Sequence, residues 1–318
     1  MCLCFGHYVV IFDSLIYVIL EYDRRNERFF ASNNKEKIIL DKCMIPKLIH
    51  CVWLSGDCKP EMYKKCIASW EETMPDYDIK EWSLENLPKG VLNHSFVSSA
   101  IKARKWAYAT DFIRLWALYN YGGIYMDMDV IVYKPFDVFL KHSAFSCIEF
   151  NPRNFYKNIK NGKIKDRIIY GLNIEAAVIG SVKHHIWIKD MIDYYNNIDF
   201  IANKKYYQKI LMPLIISRVS LKYGFKYIPI YQVLDNDIHL YPPDVFSSCY
   251  DTSIMKCSSV CDYRENQIRY SYHLCAHSWY EDLRENTILY HIKKFFIGLF
   301  GQSFCHKIKR IINRGISV

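Results

Sequence analysis

The sequence predicts an α/β fold over residues 44–285, a sheet with helices packed against it. Of the 318 residues, 51% are hydrophobic and 16% aromatic, enough to bury a large core. Strand-like and helix-like segments alternate from residue 46 onward, the order expected of an α/β sheet. No repeat and no long Gly/Ser/Pro linker divides this span, which reads as one domain.

The elements follow in order. "PKLIHCVWL" (46–54) is nearly continuous in apolar residues and reads as a buried strand. "KPEMYKKCIASWEETMP" (59–75) opens with a proline in its first turn and puts Met62, Cys66, Ile67 and Trp70 on one helical stripe, with Pro75 ending it. "YDIKEWS" (77–83) alternates with period two, as a half-buried strand does. Residues 97–121 read as one long helix, apolar nearly all round and stopped by Gly122 and Gly123. Residues 124–133 read as one strand, whose period places Tyr125, Asp127 and Asp129 together and Ile124, Met126, Met128 and Val130 opposite. "EAAVIGS" (175–181) follows as an apolar strand, then helices over 184–197 and 205–222 and a loop "YPPDVFS" over 241–247.

Charge and cysteines bound the setting. The 42 Lys and Arg exceed the 33 Asp and Glu, and the resulting +9 favours anionic partners: nucleic acid, nucleotide phosphates or a membrane surface. The 12 cysteines contain no C-x-x-C pair, which disfavours a zinc site and makes a reducing cytosol the simpler setting. Residues 1–43 read as an extension outside the domain. Its apolar run has the length to span a bilayer but is interrupted by His7 and Asp13. If it inserts, Arg24, Arg25 and Arg28 keep the remainder cytoplasmic, anchored at its N-terminus. Residues 286–318 form a basic amphipathic tail with Lys293, Lys294, Lys307, Lys309, Arg310 and Arg314. Either a peripheral membrane-surface helix or a helix docked on the domain would explain it.

The chemistry centres on aspartates. D-x-D occurs three times, at 76–78, 127–129 and 235–237. Asp76 and Asp78 follow Pro75 in a turn, where Asp is favoured, and Asp235 and Asp237 lie in a polar loop. Asp127 and Asp129 alone end a hydrophobic strand, where open α/β sheets bind their ligands. Two carboxylates so close repel unless a cation sits between them, so a hard divalent ion is the natural third member. Asp111 and Arg114 share a face of the buried helix and need partners: each other, or a ligand in a cleft.

"IPKLIHCVWLSG", "CIASWEETMPDYDIKEW", "ARKWAYATDFIRLWALYNYGGIYMDMDVIVYKPFD", "IEAAVIGS", "YPPDVFS" and "YHLCAHSW" resemble, in order and spacing, the D-x-D glycosyltransferases of family thirty-two. The resemblance spans roughly residues 44–280. It implies a GT-A fold, a nucleotide-binding α/β sheet that takes a nucleotide-sugar donor with Mn²⁺ or Mg²⁺ and transfers the sugar with retention. By the same resemblance Trp53 stacks on the donor base, Asp111 and Arg114 grip sugar hydroxyls, and Tyr125 and Asp127 surround ribose and sugar. Asp129 is implied as metal ligand, His273 as the second, and Ser278 and Trp279 as a cover over the diphosphate. Leu274 and His277 depart from the commoner closing motif, so His277 and Ser278 compete with His273 for the metal. Glu175 falls near the reacting sugar face, where front-face attack by the acceptor is favoured over a covalent intermediate. The implied acceptor is a saccharide or lipid-linked saccharide of surface glycan synthesis. Metal-dependent phosphoryl or nucleotidyl transfer lacks the extra carboxylates or Gly-rich loop it would need. A non-catalytic sugar-nucleotide-binding or nucleic-acid module would not need these four charged residues together, and no nucleic-acid motif occurs.

Overall fold

Strands that are apolar on both faces need cover on both sides, and the chain supplies it with helices. The structure, a computed structural model, describes residues 44–151, 154–155, 159–160, 163–164, 169–247 and 269–275. The N-terminal extension, the basic tail and the residues His277, Ser278 and Trp279 lie outside them. None of the described helices is long and apolar enough to cross a membrane.

In chain order the elements are β1 (Leu48–Val52), α1 (Glu61–Thr73), β2 (Asp78–Trp82), α2 (Lys89–Leu92), α3 (Ser95–Lys102), α4 (Trp106–Tyr121), β3 (Gly123–Met126), β4 (Val130–Val132) and β5 (Ala144–Phe150). Then come β6 (Ile159–Lys160), β7 (Lys163–Ile164), β8 (Leu172–Ile174), β9 (Val178–Ser181), α5 (Ile186–Asn196), α6 (Lys204–Tyr207), α7 (Met212–Ser220), β10 (Gln232–Leu234), β11 (Ile238–Tyr241), α8 (Pro243–Phe246) and β12 (Ser271–His273). The main sheet has the order β10-β11-β5-β9-β3-β1-β2, with β8 paired to β5. β2, β1 and β3 run parallel and β9 runs against both β3 and β5, so the sheet is mixed. The α/β class read from the sequence is the class observed.

Alternate strand residues enter different cores. Tyr125, Ile148 and Ile179 pack with α3, α4, α5 and α7, whereas Ile124, Cys147 and Val178 pack with Trp70 of α1 and with Phe136, Phe139 and Phe246. Gly123 is a tight passage between two backbones: its φ is 103°, and a Cβ there would lie 2.3 Å from the Leu48 carbonyl oxygen. Only glycine lets β3 leave the helix and pair with β1 at that distance.

The segment 97–121 is two helices, not one. α3 ends in paired bonds from Arg104 N–H to the Ile101 carbonyl and from Lys105 N–H to the Ala100 carbonyl, with Arg104 at φ 54°. This is a Schellman stop with arginine where glycine is usual. The strand expected over 124–133 breaks at the D-M-D turn, and that over 175–181 begins only at Val178. Pro213 splits the helix expected over 205–222, and the loop at 241–247 contains α8.

Candidate active site

The D-M-D turn lies at the carboxyl end of β3, held by bonds from Asp127 N–H to the Ala177 carbonyl and from Val130 N–H to the Asp127 carbonyl, at 2.9 and 3.0 Å. Asp127 and Asp129 therefore do not share a strand face, and the period-two reason for their convergence fails. The turn sets the two aspartates, and His273 joins them because β12 pairs antiparallel with β4, setting it opposite Val130. One ligand atom from each of Asp127, Asp129 and His273 lies within 4.8 Å of the others.

The two aspartates have different neighbours. Tyr125 Oη donates to Asp127 Oδ1 at 2.6 Å, and Arg114 Nη1 stands 3.4 Å from the same oxygen. Arg114 also donates to Asp111 Oδ1 at 2.9 Å and to the Ala176 carbonyl at 2.7 Å, and its guanidinium lies over the Tyr125 ring. Both readings of Asp111 and Arg114 thus meet: they pair with each other, and the pair borders the D-x-D turn. Arg114 Nε is buried with no hydrogen-bond partner. Burial pushes the Asp111 carboxyl up to about 7, with Arg114 pulling it down and Asp127 pushing it further up.

On the other side, His273 Nε2 is 3.4 Å from Asp129 Oδ1, and His273 Nδ1 is 2.8 Å from Glu175 Oε1. Cys147 Sγ donates to the second Glu175 oxygen at 2.9 Å. Glu175 is only 2% exposed. Burial lowers the His273 pKa, but hydrogen bonds to Asp129, Cys275 and Glu175 outweigh it and hold the imidazole well above its ordinary value. A carboxylate behind the distal nitrogen of a ligating histidine fixes its tautomer and raises its basicity, the usual outer support of a metal site. Two carboxylate oxygens and one imidazole nitrogen suit a six-coordinate divalent ion, and the nitrogen favours Mn²⁺ over Mg²⁺.

Trp53 is half-buried just past the end of β1, its indole N–H donating to the Asp57 carbonyl at 2.8 Å and its ring meeting Tyr63 edge-on. Tyr63, Cys147 and Glu149 were not singled out from the sequence. Tyr63 lies close enough to Asp129 and Asp127 for both to raise its pKa behind the larger effect of burial. Burial, then repulsion from Glu175, pushes Glu149 up to about 8. A lone glutamate in the apolar run "AFSCIEF" was the available signal for it.

Comparison with known proteins bears on this segment. Residues 60–146, which contain Asp111, Arg114 and the D-M-D turn, match the family described as "Glycosyltransferase sugar-binding region containing DXD motif". The chain is 29% identical over 102 residues to inositol phosphoceramide mannosyltransferase 3 of Schizosaccharomyces pombe, covering 31% of this chain and 28% of that protein. It is 27% identical over 128 residues to an uncharacterized glycosyltransferase of Acanthamoeba polyphaga mimivirus, covering 39% of this chain and 51% of that one. The chain thus spans about half the length of one of these relatives and less of the other. Among solved structures, the galactosyltransferase LgtC in complex with donor and acceptor sugar analogs gives a TM-score of 0.38 at 14% identity, over 73% of this chain and 88% of that one.

Proposed function

We propose that the protein is a metal-dependent retaining glycosyltransferase that moves a hexose from a nucleotide-sugar to a saccharide or lipid-linked saccharide acceptor. The observation that carries this reading is the meeting of Asp127, Asp129 and His273 beside the buried Asp111–Arg114 pair, all but His273 within the segment that matches the D-x-D sugar-binding family. Asp129 and His273 hold the ion, with Asp127 completing the set; when bound, Mn²⁺ or Mg²⁺ neutralises charge on the diphosphate as the glycosidic bond breaks.

The chain's own residues bind and orient. Trp53 stacks on the donor base at the end of β1. Asp111 and Arg114 hold the sugar hydroxyls. Tyr125 fixes Asp127 toward ribose and sugar. Ser278 and Trp279 cover the diphosphate. Glu175 has its two oxygens on His273 and Cys147, which favours a positioning role over attack at the anomeric carbon. Front-face attack by the acceptor hydroxyl, beside the leaving diphosphate, is the mechanism consistent with that.

The test is turnover of a panel of nucleotide-sugars with Mn²⁺, scored for hydrolysis or transfer, with wild type beside Asp129→Ala. The expected result is metal-dependent consumption of one donor, reduced about 10²–10³-fold in the variant. No turnover of any donor, or undiminished turnover in the variant, overturns the reading.

A further inference from the structure

A second group of ligating side chains stands apart from the D-x-D turn. Strands β5 and β11 run parallel from Ala144 and Ile238, and β5 begins beside Ser181, the partner of Gly123 at the start of β3. His142, Asp237 and His239 therefore lie at the amino edge of β3, β5 and β11, whereas the D-M-D turn follows the carboxyl end of β3. One ligand atom from each of the three lies within 4.8 Å of the others.

The surroundings resemble those of a metal site. His239 Nδ1 is 2.6 Å from Tyr231 Oη, and its Nε2 is 3.0 Å from Asp237 Oδ1. His142 Nε2 is 2.8 Å from Tyr241 Oη, and the two imidazoles stack at 3.5 Å. Each ring thus has one nitrogen pinned by a tyrosine hydroxyl, the outer support that orients a ligating histidine. Asp237 Oδ2 accepts from Ser143 N–H at 2.7 Å, which fixes the carboxylate. Asp237 also lines a surface cleft of about 460 Å³ with Ser143, Lys183, His184, His185 and Asn236.

We propose that His142, Asp237 and His239 bind one divalent transition-metal ion of the Zn²⁺ class at the amino edge of the sheet, separate from the D-x-D site. Two nitrogens and one carboxylate oxygen match the zinc preference, and binding one ion would require the two stacked rings to part so that a nitrogen of each points at it. His142 and His239 carry no motif spacing that would announce the site.

The test uses the full chain carrying Asp129→Ala, so that the other cluster is impaired, stripped with a chelator and titrated with Zn²⁺ and with Co²⁺. The expected result is about one equivalent bound, visible Co²⁺ bands of a four- or five-coordinate site, and a higher melting temperature with Zn²⁺. Adding His142→Ala should abolish the bands and weaken binding more than tenfold. Tyr241→Phe keeps the fold-bearing ring and should weaken binding about tenfold. No stoichiometric ion, or an ion indifferent to both substitutions, overturns the proposal and leaves a hydrogen-bonded histidine pair.

Discussion

Glu175 stands between Cys147 and His273, buried, with an oxygen on each. A carboxylate so placed fixes which nitrogen of His273 faces Asp129, so its contribution reaches the ion through the histidine. Glu175→Gln keeps the volume and removes the charge. It should weaken Mn²⁺ affinity about 10–100-fold while leaving the melting temperature within a few degrees. A Mn²⁺ titration of folded variant matching wild type would show that Glu175 does not position the histidine. The residue-level reading from sequence reached Asp127, Asp129, Asp111 and Arg114 through charge placed in apolar runs. It reached His273 only through the family resemblance, because the pairing of β12 with β4 leaves no local pattern. Cys147, inside "AFSCIEF", looks like any small buried hydrophobe until its thiol is seen on Glu175.

Between α3 and α4, the exposed Arg104 holds the left-handed conformation that a Schellman stop requires. A side chain with a Cβ pays a steric cost there, so Arg104→Gly should stabilise the protein by about 0.5–1 kcal/mol despite the usual penalty for glycine. Thermal or denaturant unfolding of the variant checks this, and a loss of stability would contradict it. The same residue explains why the break was illegible: no glycine or proline marks it, and the apolar pattern runs straight through. The D-M-D turn was hidden for a related reason. Alternation of apolar residues continues from Ile124 to Val132, and the turn is imposed by the Ala177 carbonyl, a tertiary partner. By contrast the Gly122-Gly123 stop carries its own chemistry and follows local rules, while Pro213 carries a local signal that the helix expected over 205–222 ran through. Element type was readable from periodicity, whereas breaks set by distant partners were not.

Across the whole molecule, the sheet depends on a neutral histidine on β1, one strand in from its edge. His50 of β1 has Nε2 2.8 Å from the Gly122 carbonyl oxygen and accepts the Trp82 indole N–H at Nδ1, 3.2 Å away, so both nitrogens are used in the uncharged form. Burial lowers its pKa to about 4, the Gly122 bond opposes this, and Lys80 adds to it. The unfolded chain takes up a proton near pH 6.5 that the folded chain resists until about pH 4. Stability from neutral His50 is therefore intact above about pH 6.5 and falls by about 3 kcal/mol as the pH drops to 4. Melting curves of wild type and His50→Gln over that range should show a smaller acid loss in the variant, and parallel losses would contradict this. The central claim, that a divalent ion joins Asp127, Asp129 and His273 to a donor diphosphate, is tested most directly by Mn²⁺ binding. The loss of the free-ion EPR signal, followed with and without nucleoside diphosphates, reports it. The expected result is an ion tightened by one diphosphate in wild type, with that tightening lost in Asp129→Ala and in His273→Ala. An ion indifferent to every diphosphate, or one tightened equally in both variants, would contradict it.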